Sequence, residues 1–168
     1  MQKKISIAID AMGGDDAPNK TLGGVKLFLE KNKNLDDYIL HLFGKEKIIN
    51  TKLTEFKIDN KNINIIDSAS VVSDNETPLT AIKNSKNTSM WNSIQYQLDG
   101  KADISLSAGN TGVLLVVSRM ILKMMSEINK PALAGLWPNQ FGYNIVLDLG
   151  ANIECDEKNL IEFAELGS

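Results

Sequence analysis

Short apolar runs alternate with helix-like segments along this 168-residue chain, and this alternation most constrains its fold. Helix-like segments begin near Pro18, Lys45, Pro78, Thr88 or Ser89, Asn110 and Asp156. The strand-like runs are KISIAID, YILHLFG, NINIID, ADISLS, the short LAGLW and YNIVLDLG. Strands that alternate with helices of this length indicate a parallel sheet covered on both faces. We therefore expect one α/β domain over residues 1–168, with a mostly parallel sheet between two helical layers.

The charge balance limits the partners. The formal net charge is −3, which argues against nucleic acid, because nucleic-acid binding requires a basic face. All but one of the eighteen basic residues are lysines, and the single arginine, Arg119, lies within an apolar run. Bidentate arginine clamps on phosphate are thus almost unavailable. Lysines, backbone amides or helix N-termini would have to bind a phosphate.

The one cysteine and the one histidine offer little nucleophilic or metal chemistry. Cys155 cannot form an internal disulfide, which suits a reducing cytosol, and the N-terminus begins with a strand-like run instead of a signal peptide. Cys155 could be a nucleophile, but His41 sits in a strand-like run, so we interpret both as structural. With so few Cys and His, we expect no zinc site. The lone cysteine and the strand-like N-terminus lead us to expect a cytoplasmic protein.

Three strand-like runs pass into loops of small and polar residues. In open α/β sheets, ligands bind at the carboxyl ends of strands, so three such loops at one edge predict a site. The three loops are AMGGDDAP, which follows Asp10, AGNTG, which follows Ser107, and LGAN, which follows Asp148.

The AGNTG loop predicts an anion site. Gly109 and Gly112 permit close approach of the backbone to a ligand, and a long helix begins here with its free N–H groups directed at the loop. Inorganic phosphate or a phosphoryl group fits. Asn110 or Thr111 could instead simply cap the helix, and both interpretations can hold.

The acids of the first loop leave three alternatives. Asp10 and Asp15 could bind Mg²⁺, order the loop by accepting backbone N–H groups, or accept a proton. Loop-ordering is favoured for at least one of them. Lys86, just before a capped helix, could meet phosphate as a point charge or could be a solvated surface lysine.

Six motifs in register resemble one family, the bacterial acyl-acyl carrier protein:phosphate acyltransferases called PlsX. The motifs are IAIDAMGGDDAP, ETPLTAIKNSKNTSM, LSAGNTG, NKPALAGLWP, VLDLGAN and FAELGS. The resemblance implies that inorganic phosphate attacks the thioester of a long-chain acyl group on acyl carrier protein. It also implies a cytoplasmic homodimer that touches the membrane peripherally, without a cofactor, and a fold like those of phosphotransacetylases and isocitrate/isopropylmalate dehydrogenases.

The motifs and the resemblance together select the site residues. Catalytic roles are assigned to Asp10, Lys86 and Asn110. Phosphate-binding roles are assigned to Gly13, Gly14, Asp15, Ser89, Ser107, Gly109, Thr111, Gly112, Asp148 and Asn152.

Two departures from the family pattern stand out. Asp16 occupies a position where the family usually has His, and family members are about twice as long as this chain. The alternatives are therefore a catalytically incomplete module that only binds phosphate or carrier protein, and a phosphotransacetylase-type enzyme that uses acyl-coenzyme A. A hydride-transferring dehydrogenase is disfavoured because no nucleotide fingerprint is present.

Overall fold

The computed structural model describes residues 4–32, 34–73 and 77–168. By their internal contacts these residues form two compact units, which divide between Leu122 and Lys123. The expectation of a single domain over the whole chain stays a prediction. Residues 74–76, part of the predicted polar connection and of the ETPLT motif, lie outside the described ranges.

The first unit is built on a four-stranded sheet in the order β3-β2-β1-β4, in which all three neighbouring pairs are parallel. Its strands are β1 (Ile5–Asp10), β2 (Tyr38–Gly44), β3 (Ile63–Asp67) and β4 (Ile104–Ser107). Its helices are α1 (Asn19–Lys31), α2 (Glu46–Glu55), α3 (Pro78–Asn84), α4 (Ser89–Leu98) and α5 (Thr111–Leu122), and a 3-10 turn spans Leu35–Asp37. The predicted α/β class with a mostly parallel sheet is confirmed.

Alternating side chains of the strands face two helical layers, as the period of two requires. One face packs beneath α1 and α2 around Ile9, Leu40 and Leu42, which are almost fully buried. The other face is more polar and packs against α4 through Ala8, Phe43 and Tyr96. On this second face His41 donates from Nε2 to Ser6 Oγ at 3.0 Å, since that hydroxyl itself donates to the Lys101 carbonyl.

The second unit is a β-hairpin followed by a helix. β5 (Ala134–Asn139) pairs antiparallel with β6 (Gly142–Leu147), and α6 (Glu157–Gly167) follows. A capping box at Asp156 begins α6. The buried Glu162 carboxyl group of α6 accepts hydrogen bonds from the backbone and side-chain amides of Asn129. These bonds, chiefly the one from the backbone, lower the pKa of Glu162.

YNIVLD, which the sequence predicts as a strand, pairs antiparallel with β5 in a separate two-stranded sheet. Only two residues separate β5 from β6, and Gly142 at the turn has a φ of +144°, a conformation open to glycine. A connection this short can join only antiparallel neighbours. LAGLW, interpreted as a short apolar segment, is the partner strand. Within the described ranges, no helix is long and apolar enough to span a bilayer.

The surroundings of His41 make the stability of the first unit depend on pH. Burial lowers the pKa of His41, so the folded protein keeps the ring neutral at a pH where the unfolded chain, near the ordinary value of about 6.5, binds a proton. The free energy of unfolding should therefore fall as the pH drops through about 6.5. His41→Gln should reduce that loss. Urea unfolding of both proteins at about pH 7.5 and about pH 5.5 measures it, and equal losses would contradict the assignment.

Candidate functional site

The carboxyl ends of β1 and β4 meet where the strand order reverses. The chain runs outward from β1 through β2 to β3 and then returns to the opposite side of β1 with β4. In doubly wound sheets, ligands bind at such a reversal, in the crevice outside the carboxyl ends of the strands. Asp10 and Ser107, the last residues of the two strands, are paired in register.

Asp10 ties the two strand ends together. Its side chain is 1% exposed, and its Oδ2 accepts a hydrogen bond of 2.7 Å from Ser107 Oγ. Its Oδ1 accepts the backbone N–H of Met12 at 3.2 Å. Ser107 Oγ in turn accepts the backbone N–H of Gly109 at 3.1 Å. One carboxyl group thus orders both the acidic loop and the AGNTG loop.

Two glycines let these loops lie against each other. A Cβ at Gly13 would collide with Asp10 Oδ2 and lie 2.9 Å from Ser107 Oγ. Gly14 has a φ of +94°, and a Cβ there would stand 2.5 Å from the carbonyl oxygen of Ala108. Both positions therefore require glycine. The backbone of each loop approaches the other without an intervening side chain.

The remaining acids of the first loop have separate positions. Asp16 has a φ of +59°, which Asp tolerates better than most residues, and its Oδ1 accepts from Asn19 Nδ2 at 2.9 Å. The loop then passes through a cis peptide bond at Ala17–Pro18. Asp15 is exposed beside the crevice. The described residues contain no group of three or more His, Cys, Asp and Glu that could hold a metal ion.

Asn110 caps α5. Its Oδ1 accepts the backbone N–H of Val113 at 3.1 Å, and its carbonyl oxygen accepts the N–H of Leu114. Thr111 is exposed in the first turn, and a Cβ at Gly112 would lie 3.2 Å from the Pro78 ring. The capping role of Asn110 is therefore present. As at the start of any helix, the first N–H groups have no partners inside α5.

The segment around Lys86 borders this loop through α4. A Cβ at Gly109 would lie 2.9 Å from Met90 Cε, in the first turn of α4. Thr88 is the N-cap residue and accepts the N–H of Trp91 at 3.1 Å. Lys86 is exposed two residues earlier. Ser89 is fully buried, and its hydroxyl has no hydrogen-bond partner among the described residues.

Sequence reasoning missed two features here. The hydroxyl of Ser85 is also buried without a partner in the described ranges, although only Ser89 was selected from this stretch. A buried unpaired hydroxyl costs about 1–3 kcal/mol. The second feature is Gly24 of α1, which lines a cavity that opens between α1 and the sheet, beside the crevice. The signal was available, since two glycines inside a helix are unusual.

Asp148 and Asn152 form their own loop in the second unit. Asp148 Oδ1 accepts from both the backbone and the side-chain amide of Asn152, at 3.1 and 2.8 Å. The side chain of Asn152 also donates to the Pro131 carbonyl. Cys155 Sγ lies 3.5 Å from Asp148 Oδ2, and desolvation together with this neighbouring carboxylate raises the pKa of the exposed thiol. The role of Asp148 and Asn152 toward phosphate stays a prediction.

Comparison with known proteins identifies the family of this chain. The model of the fatty acid synthesis protein family matches residues 5–168. The chain belongs to that family. Phosphate acyltransferases from Pelagibacter ubique and Rhodospirillum rubrum are 45% and 39% identical over 100% and 99% of the chain, and the resemblance to phosphate acyltransferases is confirmed. The chain spans 49% and 47% of these relatives, about half their length.

A solved structure supports the fold independently. The EutD phosphotransacetylase from Staphylococcus aureus matches 97% of this chain and 51% of its own with a TM-score of 0.64. The sequences are 19% identical, so the match establishes the architecture alone. The predicted phosphotransacetylase-like fold is confirmed.

The packing of the two loops can be tested at Gly13. Gly13→Ala should lower the free energy of unfolding by about 1–3 kcal/mol, because the added methyl group overlaps Asp10 and Ser107. Gly23→Ala is the matched control. A Cβ there meets nothing within 4 Å, so this change in a helix should be neutral or stabilising by about 0.5–1 kcal/mol. Denaturant unfolding measures both, and equal stabilities would show that the loops are not closely packed.

Proposed function

We propose that this chain carries the phosphate-binding part of a phosphate acyltransferase. The reaction converts a long-chain acyl-acyl carrier protein and inorganic phosphate to acyl phosphate and free acyl carrier protein. The observation that carries the proposal is the joining of two glycine-containing loops by Asp10 and Ser107 at the reversal point of the sheet. The relatives named phosphate acyltransferase support the reaction type.

The chemistry needs positioning more than activation. Inorganic phosphate is already a nucleophile near neutral pH, so no activated serine or cysteine is required. An oxygen of the phosphate attacks the thioester carbonyl carbon, and the thiolate of the carrier protein leaves. The site has to hold phosphate against the thioester and stabilise the developing oxyanion. We assign phosphate binding to the backbone of residues 109–112 at the start of α5.

The other selected residues have supporting roles in the proposal. Ser89 offers a buried hydroxyl that has no partner within the described residues, and Lys86 offers an exposed cation on the same segment. Asp10 shapes the loops from below. Gly13 and Gly14 form the opposite wall, and Asp15 lies at the edge. Asp148 and Asn152 are included on the strength of the resemblance.

The proposed partners follow from the same family. The homodimer has one feature in its favour, because the β5–β6 hairpin exposes Trp137, Phe141 and Tyr143 at 62%, 98% and 71%. Exposed aromatic clusters of this kind are typical of interaction surfaces. A cytoplasmic location is supported by the single cysteine and by the resemblance, and peripheral membrane contact follows from the resemblance alone. No cofactor is proposed, and magnesium stays an untested alternative.

The reaction itself is tested by incubating the chain, and separately a full-length relative, with palmitoyl-acyl carrier protein and phosphate. Phosphate-dependent release of free carrier protein together with acyl phosphate is the expected result for the relative. Product from this chain would place all catalytic groups within it. Phosphate protection against heat without product would make the chain a binding module, and preference for palmitoyl-coenzyme A would favour the phosphotransacetylase alternative.

Asn110 separates phosphate binding from helix capping. Asn110→Asp keeps a capping oxygen, so the stability should change by less than about 0.5 kcal/mol, but the added negative charge should weaken phosphate binding at least about tenfold. Asn110→Ser, which keeps a neutral cap, is the matched control and should retain most of the affinity. Calorimetric phosphate titration and thermal unfolding report the two effects. Unchanged phosphate affinity in Asn110→Asp would remove this loop from the site.

A further inference from the structure

A cavity of about 570 Å³ opens beside the proposed phosphate site, between α1 and the sheet. Its volume lies in the range of small-molecule pockets. One end is polar and is formed by residues of the site already described, including Asp10, Gly13 and Ser107. The cavity is thus continuous with the crevice at the strand ends.

The rest of the cavity is lined mainly by apolar side chains. Its floor is the sheet face formed by Ile7, Ile9, Leu40 and Leu106. Ile7 and Ile9 alternate along β1, and Leu106 is the register partner of Ile9, so these side chains share one face. Leu106 is 56% exposed, which leaves this part of the floor open.

The roof is one side of α1. The residues that line it fall on one helical face, at Lys20, Thr21, Gly24, Val25 and Phe28. From Thr21 to Phe28 this face extends about 10 Å at 1.5 Å per residue. Only the positions nearest the loops, Lys20 and Thr21, are polar. The cavity therefore grades from a polar mouth to an apolar groove.

Gly24 keeps the groove open. A Cβ at Gly24 would meet no atom within 4 Å, so neither packing nor close backbone approach requires glycine there. Glycine inside a helix is less favourable than alanine by up to about 1 kcal/mol. Its presence is explained if any larger side chain at this point of α1 would occupy the groove.

We propose that this groove binds the acyl chain of the substrate, with the carbonyl group at the polar mouth beside the phosphate. The inference rests on the proposed function, which supplies the reacting groups. An unbranched hydrocarbon suits the groove because the walls beyond Thr21 offer only apolar contacts. The polar groups of a nucleotide or a sugar would have no hydrogen-bond partners there. Gly24 is then a residue that determines how long a chain can enter.

The test uses alkyl phosphates, which carry both a phosphate and a chain and cannot react. Calorimetry on the 168-residue chain compares butyl and dodecyl phosphate below the micelle concentration. Dodecyl phosphate should bind at least about a hundredfold more tightly, because burial of half of its additional methylene groups supplies that factor. Equal affinities would overturn the groove, whereas failure of butyl and inorganic phosphate to bind would overturn the phosphate site instead.

Variants in α1 locate the chain. Gly24→Leu should weaken dodecyl phosphate about tenfold and change butyl phosphate less than about twofold, since the new side chain displaces about two methylene groups. Gly23→Leu is the matched control, because that position is equally open but does not line the cavity. Both affinities should stay within about twofold in this control. Gly24→Ala, a smaller and helix-favouring change, should show a weaker loss in the same direction.

Equal effects of Gly24→Leu and Gly23→Leu on dodecyl phosphate would contradict the assignment. So would a loss of butyl phosphate as large as the loss of dodecyl phosphate in Gly24→Leu. In a full-length relative, other polypeptide could cover this groove instead of an acyl chain. The equivalent of Gly24→Leu would then reduce turnover equally with octanoyl- and palmitoyl-acyl carrier protein. That result also overturns the proposal.

Discussion

The buried carboxyl group of Asp10 is the constraint on which the candidate site depends. A buried polar group of this kind is costly unless it is hydrogen-bonded, and here each oxygen accepts one bond. The two donors come from different segments: Met12 lies directly after β1, and Ser107 ends β4, 97 residues from Asp10. The bonds therefore join segments that the chain itself separates widely. The glycines at 13 and 14 are consequences, because they let the joined loops come into contact.

The larger sheet could be predicted from the sequence because its signals are local. Runs such as YILHLFG are apolar, rich in strand-forming residues and bounded by polar segments, and β2 has the predicted bounds. The β5–β6 hairpin could not be predicted in the same way. Pro138 within a strand argues against a central position, and the interpretation stopped at that residue. An edge or hairpin strand tolerates it, and only the pairing shows that β5 continues to Asn139.

The site was partly predictable for a similar reason. Strand ends and a helix start can be recognised from sequence, so Asp10, Ser107 and Asn110 could be selected. Their roles could not, because the bond between Asp10 and Ser107 depends on strand order, and strand order is not a local property. The groove beneath α1 likewise needs the register of β1 with β4 before Leu106 and Ile9 share a floor. Gly24 gains a meaning only once its neighbours are known.

The most direct test of the account is a double-mutant cycle on Asp10 and Ser107. Free energies of unfolding are measured for Asp10→Ala, Ser107→Ala and the double variant. If the two side chains join the loops as described, the effects should be non-additive by about 1 kcal/mol or more, since removal of either partner already breaks the bond. Effects that add within about 0.3–0.5 kcal/mol would show that the two strand ends are not coupled, and the proposed shape of the phosphate site would then be wrong.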